Sequence, residues 1–442
     1  MAESMDSLKL QIKINMKELI NQKKYEKAQQ LLNQYKQITS DDVEAFSIQG
    51  VIYICQGEYL NAQQVIEQGL NVENNNFDLL FNLAYVFERV ENFSQAYKYY
   101  KRAKEVCTDP AISKNIDEAL SKLESKTTKK VKLIFFIKHN INSFVDDIVE
   151  ELSLEYEIRF VKVKDLREID QGMKWADICW FEWCDELIAY GSKLDIAKNK
   201  KIICRIHGYE VYTDFIRDVE WENVDELIIV APHIRRIFEE RTQDKDKGKL
   251  KIDTVFCGVN VENYPLIVKE KGFNLGYLGY INFKKNLPLT LDIFKKLHDL
   301  DPRYKLYLAG EFQDGRTLGY IKYFVREHKL TNHFFFDGWQ TYEQKVQWFK
   351  KINYMVISSI DEGLCYAAAE GMCSGIKPIL HNCEGIKDHY DSKYIFSSVD
   401  EAVTMIQSSE YNSLEYRNFV KAKYDLRLEY QYLRDILNRL TK

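Results

Sequence analysis

Nowhere in its 442 residues does the chain approach the ~18 consecutive apolar residues of a membrane-spanning helix, so no transmembrane segment is expected. The opening stretch, MAESMDSLKLQIKINMKELI, has no continuous apolar core, and no signal peptide is expected either. The nine cysteines include no Cys-x-x-Cys pair and no His/Cys cluster at zinc-ligand spacing, so no metal site is expected. An odd number of thiols in apolar contexts such as Cys179, Cys204 and Cys257 reads as reduced and buried, and the expected compartment is the cytoplasm. Excess positive charge is also missing. The formal net charge of −5 gives no support for nucleic acid as a partner. What is present, 45% hydrophobic and 29% charged residues, suits a soluble globular protein, and the length suits two or three domains.

The first 125 residues are periodic. Tyr25, Tyr59 and Phe93 recur at a spacing of 34, as do Ala28, Ala62 and Ala96; Leu32, Ile66 and Tyr100; and Met16, Gly50 and Ala84. Small residues let paired helices approach, and the aromatics fill the seam between them. The four aligned series resemble the tetratricopeptide pattern and predict helix pairs over 8–39, 43–74 and 77–108, with a capping helix over 112–123. Turns are expected at Gly57-Glu58, Glu91-Asn92 and Asp109-Pro110, and a polar linker at 125–130, SKTTKK. Such repeats carry no chemistry. They are expected to bind a protein partner, to form a homodimer contact, or to brace the rest of the chain.

From residue 131 the pattern alternates between apolar strand-like runs and helical stretches. Strands are predicted at 131–137, 157–163, 177–182, 201–206, 226–230 and 251–256, and again at 273–278, 305–308, 333–336, 354–357 and 377–380. An amphipathic segment is expected around 144–154. Two such sets, joined through 264–271, predict an α/β protein with two Rossmann-like doubly wound domains facing a cleft, at 131–264 and 272–442. In open α/β sheets ligands sit at the carboxyl ends of the strands, and the chemistry-bearing motifs of this chain fall there.

The most informative of them is 361–375, DEGLCYAAAEGMCSG, after the apolar run 354–357. Glu362 and Glu370 stand eight residues apart. In a continuous helix they would share one side, about 12 Å apart along the axis. If the helix starts near Leu364, Glu362 lies in the preceding loop, and the N–H groups of Leu364, Cys365 and Tyr366 are left to cradle a phosphate. The Asp-Glu-Gly turn, the small-residue helix and the Gly375-x-x-Pro378 exit together resemble the glutamate signature of family 4 retaining glycosyltransferases, which have the GT-B fold. The resemblance runs from 131 to the C-terminus and is strongest over 273–390.

It implies the following roles. Residues 278–286, LGYINFKKN, look like the family's Gly-Arg-(Leu/Ile)-x-x-x-Lys-Gly phosphate loop, with Gly279 and Lys285 in place, Lys284 beside it, Tyr280 for the Arg and Asn286 for the second Gly. Lys285 and the loop Gly363, Leu364 and Cys365 would stabilise the leaving diphosphate, and Gly310 would open a loop over it. Gly338 and Trp339 would lie against the nucleobase. Glu370 would hold the ribose, and Glu362 a donor hydroxyl next to the oxocarbenium-like centre. His207 would donate a hydrogen bond to the reacting sugar. Glu182, Asp185 and His139 are acceptor candidates, and 257–260, CGVN, resembles the turn into the interdomain linker.

The implied reaction moves a sugar from a nucleotide-sugar, with UDP favoured, to a hydroxyl of a protein or cell-surface glycan. It would retain configuration by front-face displacement without a metal. The alternatives are a tetratricopeptide scaffold with an inactive transferase-like domain, suggested by the missing clamp Arg, and an epimerase or phosphorylase on the same architecture.

Overall fold

The computed structural model describes residues 2–39, 42–126, 130–139, 145–153 and 155–441. They form two compact units, one of Met1–Val131 with Val149–Glu157, the other of Lys132–Ile148 with Ile158–Lys442.

The first unit is helical. The pairs are Ala2–Asn21 with Tyr25–Ile38, Val43–Gln56 with Tyr59–Val72, and Phe77–Arg89 with Phe93–Val106, followed by Pro110–Lys126. The periodic residues explain the packing. Ala28, Ala62, Ala96, Met16 and Ala84 are wholly buried, and Tyr25, Tyr59 and Phe93 each open the second helix of a pair. Lys23, Gly57 and Glu91, again 34 apart, all have positive φ, so each pair turns through the same left-handed residue. The last helix extends through the first part of the expected linker, and 127–129 lie outside the described residues.

The second unit holds two six-stranded parallel sheets. The first comprises β1 (Lys132–Lys138), β2 (Glu157–Val163), β3 (Ile178–Glu182), β4 (Lys201–Ile206), β5 (Glu226–Ile229) and β6 (Lys251–Thr254). The second comprises β7 (Asn274–Leu278), β8 (Lys305–Ala309), β9 (Phe334–Gly338), β10 (Tyr354–Ile357), β11 (Lys377–His381) and β12 (Ile395–Phe396). The central strands β3, β5 and β10 are buried at every position, as expected of parallel strands covered on both faces. The two-residue β12 is too short to leave a periodic signal, and the sequence does not predict it. A helix, Asp146–Leu152, occupies the expected amphipathic segment, whose ends, 144 and 154, lie outside the described residues.

Strand order places the sites. The first sheet runs β2-β1-β3-β4-β5-β6 and the second β12-β11-β10-β7-β8-β9. Chain direction across each sheet therefore reverses at β1/β3 and at β7/β10, and such switch points are where loops splay apart to leave a crevice. Beyond β1 and β3 lie His139 and 183–185; beyond β7 and β10 lie 279–286 and 358–365.

The chain then returns to its first sheet. Asp425 bridges to Val259, and on the helix Leu426–Thr441 the guanidinium of Arg439 reaches Glu226 at 3.1 Å and also meets Asp253. The last helix is thus packed on the 131–264 domain, although in sequence it follows the other.

Candidate active site

At the β7/β10 switch point two loops are tied together. Asn282 accepts from the Lys285 N–H at 3.2 Å, capping a short turn over Phe283–Lys285. Asn286 then adopts φ 47°, the left-handed conformation that glycine and asparagine tolerate, so its replacement of the family's second Gly leaves the backbone path intact. Ser358 donates to the Lys285 carbonyl at 2.9 Å, and the Ile360 N–H to the Lys284 carbonyl at 2.9 Å.

The helix of the Glu-rich stretch is Tyr366–Cys373, so Glu362 lies in the loop before it and Glu370 one turn inside it. Glu362 is 5% exposed, ion-paired with Lys285, and accepts from the Ser359 hydroxyl at 2.6 Å. Burial alone would lower the Lys285 pKa, but the Glu362 carboxylate outweighs it and raises it. Lys284 faces Asp361 at 3.5 Å. Cys365 has φ 57°, an uncommon conformation for a residue with a Cβ, costing about 1–2 kcal/mol. Tyr390 supports it by donating to the Leu364 carbonyl at 2.7 Å. Among the described residues the N–H groups of Gly363, Leu364 and Cys365 meet no acceptor.

Glu370 accepts from Tyr264 and from Lys345, both at 2.6 Å. Neither partner is marked in the sequence, because Tyr264 belongs to the interdomain linker and Lys345 to the helix Tyr342–Lys351. Tyr280, in place of the clamp Arg, packs against Trp339 with centroids 5.0 Å apart and the rings tilted by 36°, and both rings are exposed. Gly310 is required by space: a Cβ there would lie 1.8 Å from the Gly279 carbonyl oxygen, so the loops after β7 and β8 meet only because it has no side chain. Gly338, at φ 68°, faces open space.

The first sheet presents His207 at the end of β4. Its Nε2 lies 2.6 Å from Glu182, its N–H donates to Glu210 at 2.9 Å, and Trp183 stands 5.0 Å from its ring centre. Burial opposes a charge on His207, but Glu182 prevails, with help from Cys257, and raises its pKa to about 10. Glu182 is expected from the sequence to face the cleft. It is instead fully buried: Trp180 donates to it at 2.8 Å, and Arg205 lies at 3.7 Å beside His207. Burial would raise its pKa, yet Arg205 and His207 hold it below the ordinary carboxylate range.

Asp185 is also withdrawn from solvent. It caps the following helix by accepting from the Leu187 N–H at 2.9 Å, and burial pushes its pKa up to about 7 despite Lys138 nearby. Only His139, of the three acceptor candidates, is exposed; its neighbour Asn140 lies outside the described residues. Behind Glu182, Arg205 pairs with Glu429 of the last helix, and Glu429 also accepts from the Gly258 N–H at 2.6 Å. Pairing across this length of chain leaves no local sequence signal.

Six cysteines are buried as expected, whereas Cys55 is exposed and Cys107 and Cys383 are partly so; all nine are free thiols. Among the described residues, no helix is long and apolar enough to cross a membrane.

Comparison with known proteins bears on the fold and on the family pattern of the second domain. Residues 265–422 match the family model Glycosyl transferases group 1. An uncharacterized glycosyltransferase of Methanocaldococcus jannaschii is 26% identical over 160 residues, 36% of this chain and 40% of that protein. The match thus spans about two-fifths of the relative's length. Among solved structures, Anabaena HepE in complex with UDP superposes with a TM-score of 0.57 at 10% identity, covering 70% of this chain and all of that one. Sucrose-phosphate synthase from Thermosynechococcus elongatus superposes at 0.56 and 12% identity, covering 71% of this chain and 99% of that one. The chain has a GT-B fold, and its second Rossmann-like domain carries the group 1 glycosyl transferase pattern.

Proposed function

We propose that the protein is a retaining glycosyltransferase of family 4 type. It would move a sugar from a UDP-linked donor to a hydroxyl of a protein or cell-surface glycan. The observation that carries this reading is the convergence of Lys285, Glu362 and the unoccupied N–H groups of 363–365 at the β7/β10 switch point, with Glu370 one turn into the helix. A diphosphate entering there would exchange Glu362 for its own oxygens on Lys285, releasing the carboxylate to take a donor hydroxyl. Glu370 would turn its remaining oxygen to the ribose. The base would lie on the Tyr280–Trp339 pair, and Lys284 would supply the second cation that the family's Arg provides.

His207, charged at neutral pH, would favour negative charge building on the leaving group. In the front-face step the glycosidic C–O bond to the phosphate breaks as the acceptor oxygen bonds the same face, and the acceptor's proton passes to the departing phosphate oxygen. Fixed charges aimed at the leaving group stabilise such a transition state without reorganising. Lysines fill this role here, so the reaction is expected to continue in chelator.

The test is to incubate the protein with UDP-, GDP- and ADP-sugars and measure free nucleotide, with Glu362→Gln as control. Release of UDP alone, lost in the variant, is the expected result. No nucleotide release with intact UDP binding would favour the scaffold alternative, for which the missing clamp Arg at Tyr280 is the specific support. The repeats, read as tetratricopeptide-like, would recruit a polypeptide acceptor. Deleting 1–125 should then lower transfer to the native acceptor and leave donor hydrolysis unchanged.

A further inference from the structure

Where the two Rossmann-like domains meet, four buried polar atoms without hydrogen-bond partners stand in two facing pairs. His233, on the helix Pro232–Arg241 after β5, is wholly buried, and neither ring nitrogen has a hydrogen-bond partner. Its Nε2 faces Asp361 Oδ1 at 3.6 Å and its Nδ1 faces Asp388 Oδ2 at 4.0 Å, and neither oxygen accepts a hydrogen bond. Both carboxylates belong to the second domain, where Asp361 is bridged to Glu384, just before the short helix Ile386–His389 that carries Asp388. Room for the ring has been made deliberately. A Cβ on Gly385 would lie 2.2 Å from His233 Cε1, and the φ of 85° there is itself one that favours glycine.

These separations are about 1 Å longer than charge-assisted hydrogen bonds. A small approach of the two domains closes both at once, and only the doubly protonated ring has a donor for each carboxylate. Asp361 is meanwhile shared with Lys284 at 3.5 Å, and Asp388 with Arg236 at 3.7 Å. The remaining groups facing this junction are Glu384, which meets Arg236 at 3.3 Å, Tyr212, and His389, whose pKa burial lowers to about 3.

We propose that His233 is a positioning residue: its two ring nitrogens, one facing each carboxylate, clip Asp361 and Asp388 to the first domain when the cleft closes. The donor's diphosphate sets the clip by drawing Lys284 away from Asp361. Because Asp361 adjoins Glu362, the clip fixes the loop that holds the donor. This second part rests on the nucleotide-sugar reading given above.

The test is a double-mutant cycle on the intact chain, with His233→Gln, Asp388→Asn and the pair, reading UDP affinity by calorimetry and the KM–kcat split for the UDP-sugar. Each single variant is expected to raise the UDP Kd and donor KM roughly tenfold with kcat within about twofold, and the double variant to be no worse than either. Unchanged singles, or a double variant weakened by the product of the two, would overturn the clip while leaving the nucleotide reading intact. Absence of UDP binding by the unsubstituted protein would overturn the nucleotide reading and the donor-set clip with it. Should His233→Gln fail to fold, the partly exposed Asp388 and Asp361, each changed to Asn, carry the same cycle.

Discussion

Glu182→Gln separates a charged His207 from a neutral one. In the folded chain the pKa of His207 is about 10, against an ordinary 6.5, because the Glu182 carboxylate overcomes a burial that on its own would lower it. That gap corresponds to ~5 kcal/mol of preference for the charged ring. A group whose pKa is raised on folding contributes stability that is complete below pH 6.5 and disappears as pH rises through about 10. The unsubstituted protein should therefore lose stability steadily over that window. In the variant, burial and the neighbouring Arg205 are opposed only by Cys257, so the ring is expected to be neutral at pH 7 and the window to vanish. Glutamine can still accept from Trp180, which limits the change to charge. Two assays read the result: the melting temperature from pH 5.5 to 10, and the UDP-release rate over the same range. The variant should melt lower at pH 6 and converge with the parent at high pH, and its activity should already be low at neutral pH, where the parent's is not. The imidazole resonance, assigned among eight histidines with a His207→Gln control, locates the titration directly. Parallel melting profiles in the two proteins would refute the assignment of a charged His207.

Other perturbations test separate parts of the site. Lys285→Ala should lower kcat by roughly 10²–10³, by analogy with loss of one oxyanion donor, and near-normal turnover would sink the phosphate role. Asp185→Asn keeps the cap on Leu187 and removes a carboxylate whose pKa burial raises from 3.8 to about 7. A raised carboxylate costs stability as pH climbs through that interval, so the variant should be the more stable at pH 8, by up to ~4 kcal/mol, and no more stable at pH 4, as followed by urea unfolding. Trp339→Ala should weaken UDP binding by about 1–3 kcal/mol if a base stacks there, with calorimetry as the check.

What the sequence reveals and what it hides divides by range. The 34-residue series and the apolar runs are local, and they locate the helix pairs and eleven of the twelve strands. The loop motifs are local too, which is why Lys285 and Glu362 could be singled out before their ion pair was seen. Depth behind a strand end is not local. Glu182 sits at the last position of β3, where a polar residue reads as a group offered to the cleft, yet Trp180, Arg205 and His207 enclose it. Asp185 reads as a loop acid and is a buried helix cap. Departures from a motif are legible only in part: the backbone at Asn286 explains why its side chain is tolerated, and the ring at Trp339 explains what Tyr280 rests on.

The longest-range element bears most on how the two domains act together. Glu429 carries no signal in the sequence; in the fold it is 4% exposed and pairs with Arg205, which in turn faces Glu182 and so His207. Removing one partner from a buried pair leaves an uncompensated charge, so this chain of contacts tolerates little movement of the last helix against the first sheet. The same glutamate accepts from Gly258, at the turn into the linker whose Tyr264 holds Glu370. A closing motion of the domains must therefore pivot close to Gly258 and Asp425, where the bridge between Val259 and Asp425 joins the last helix to the linker turn.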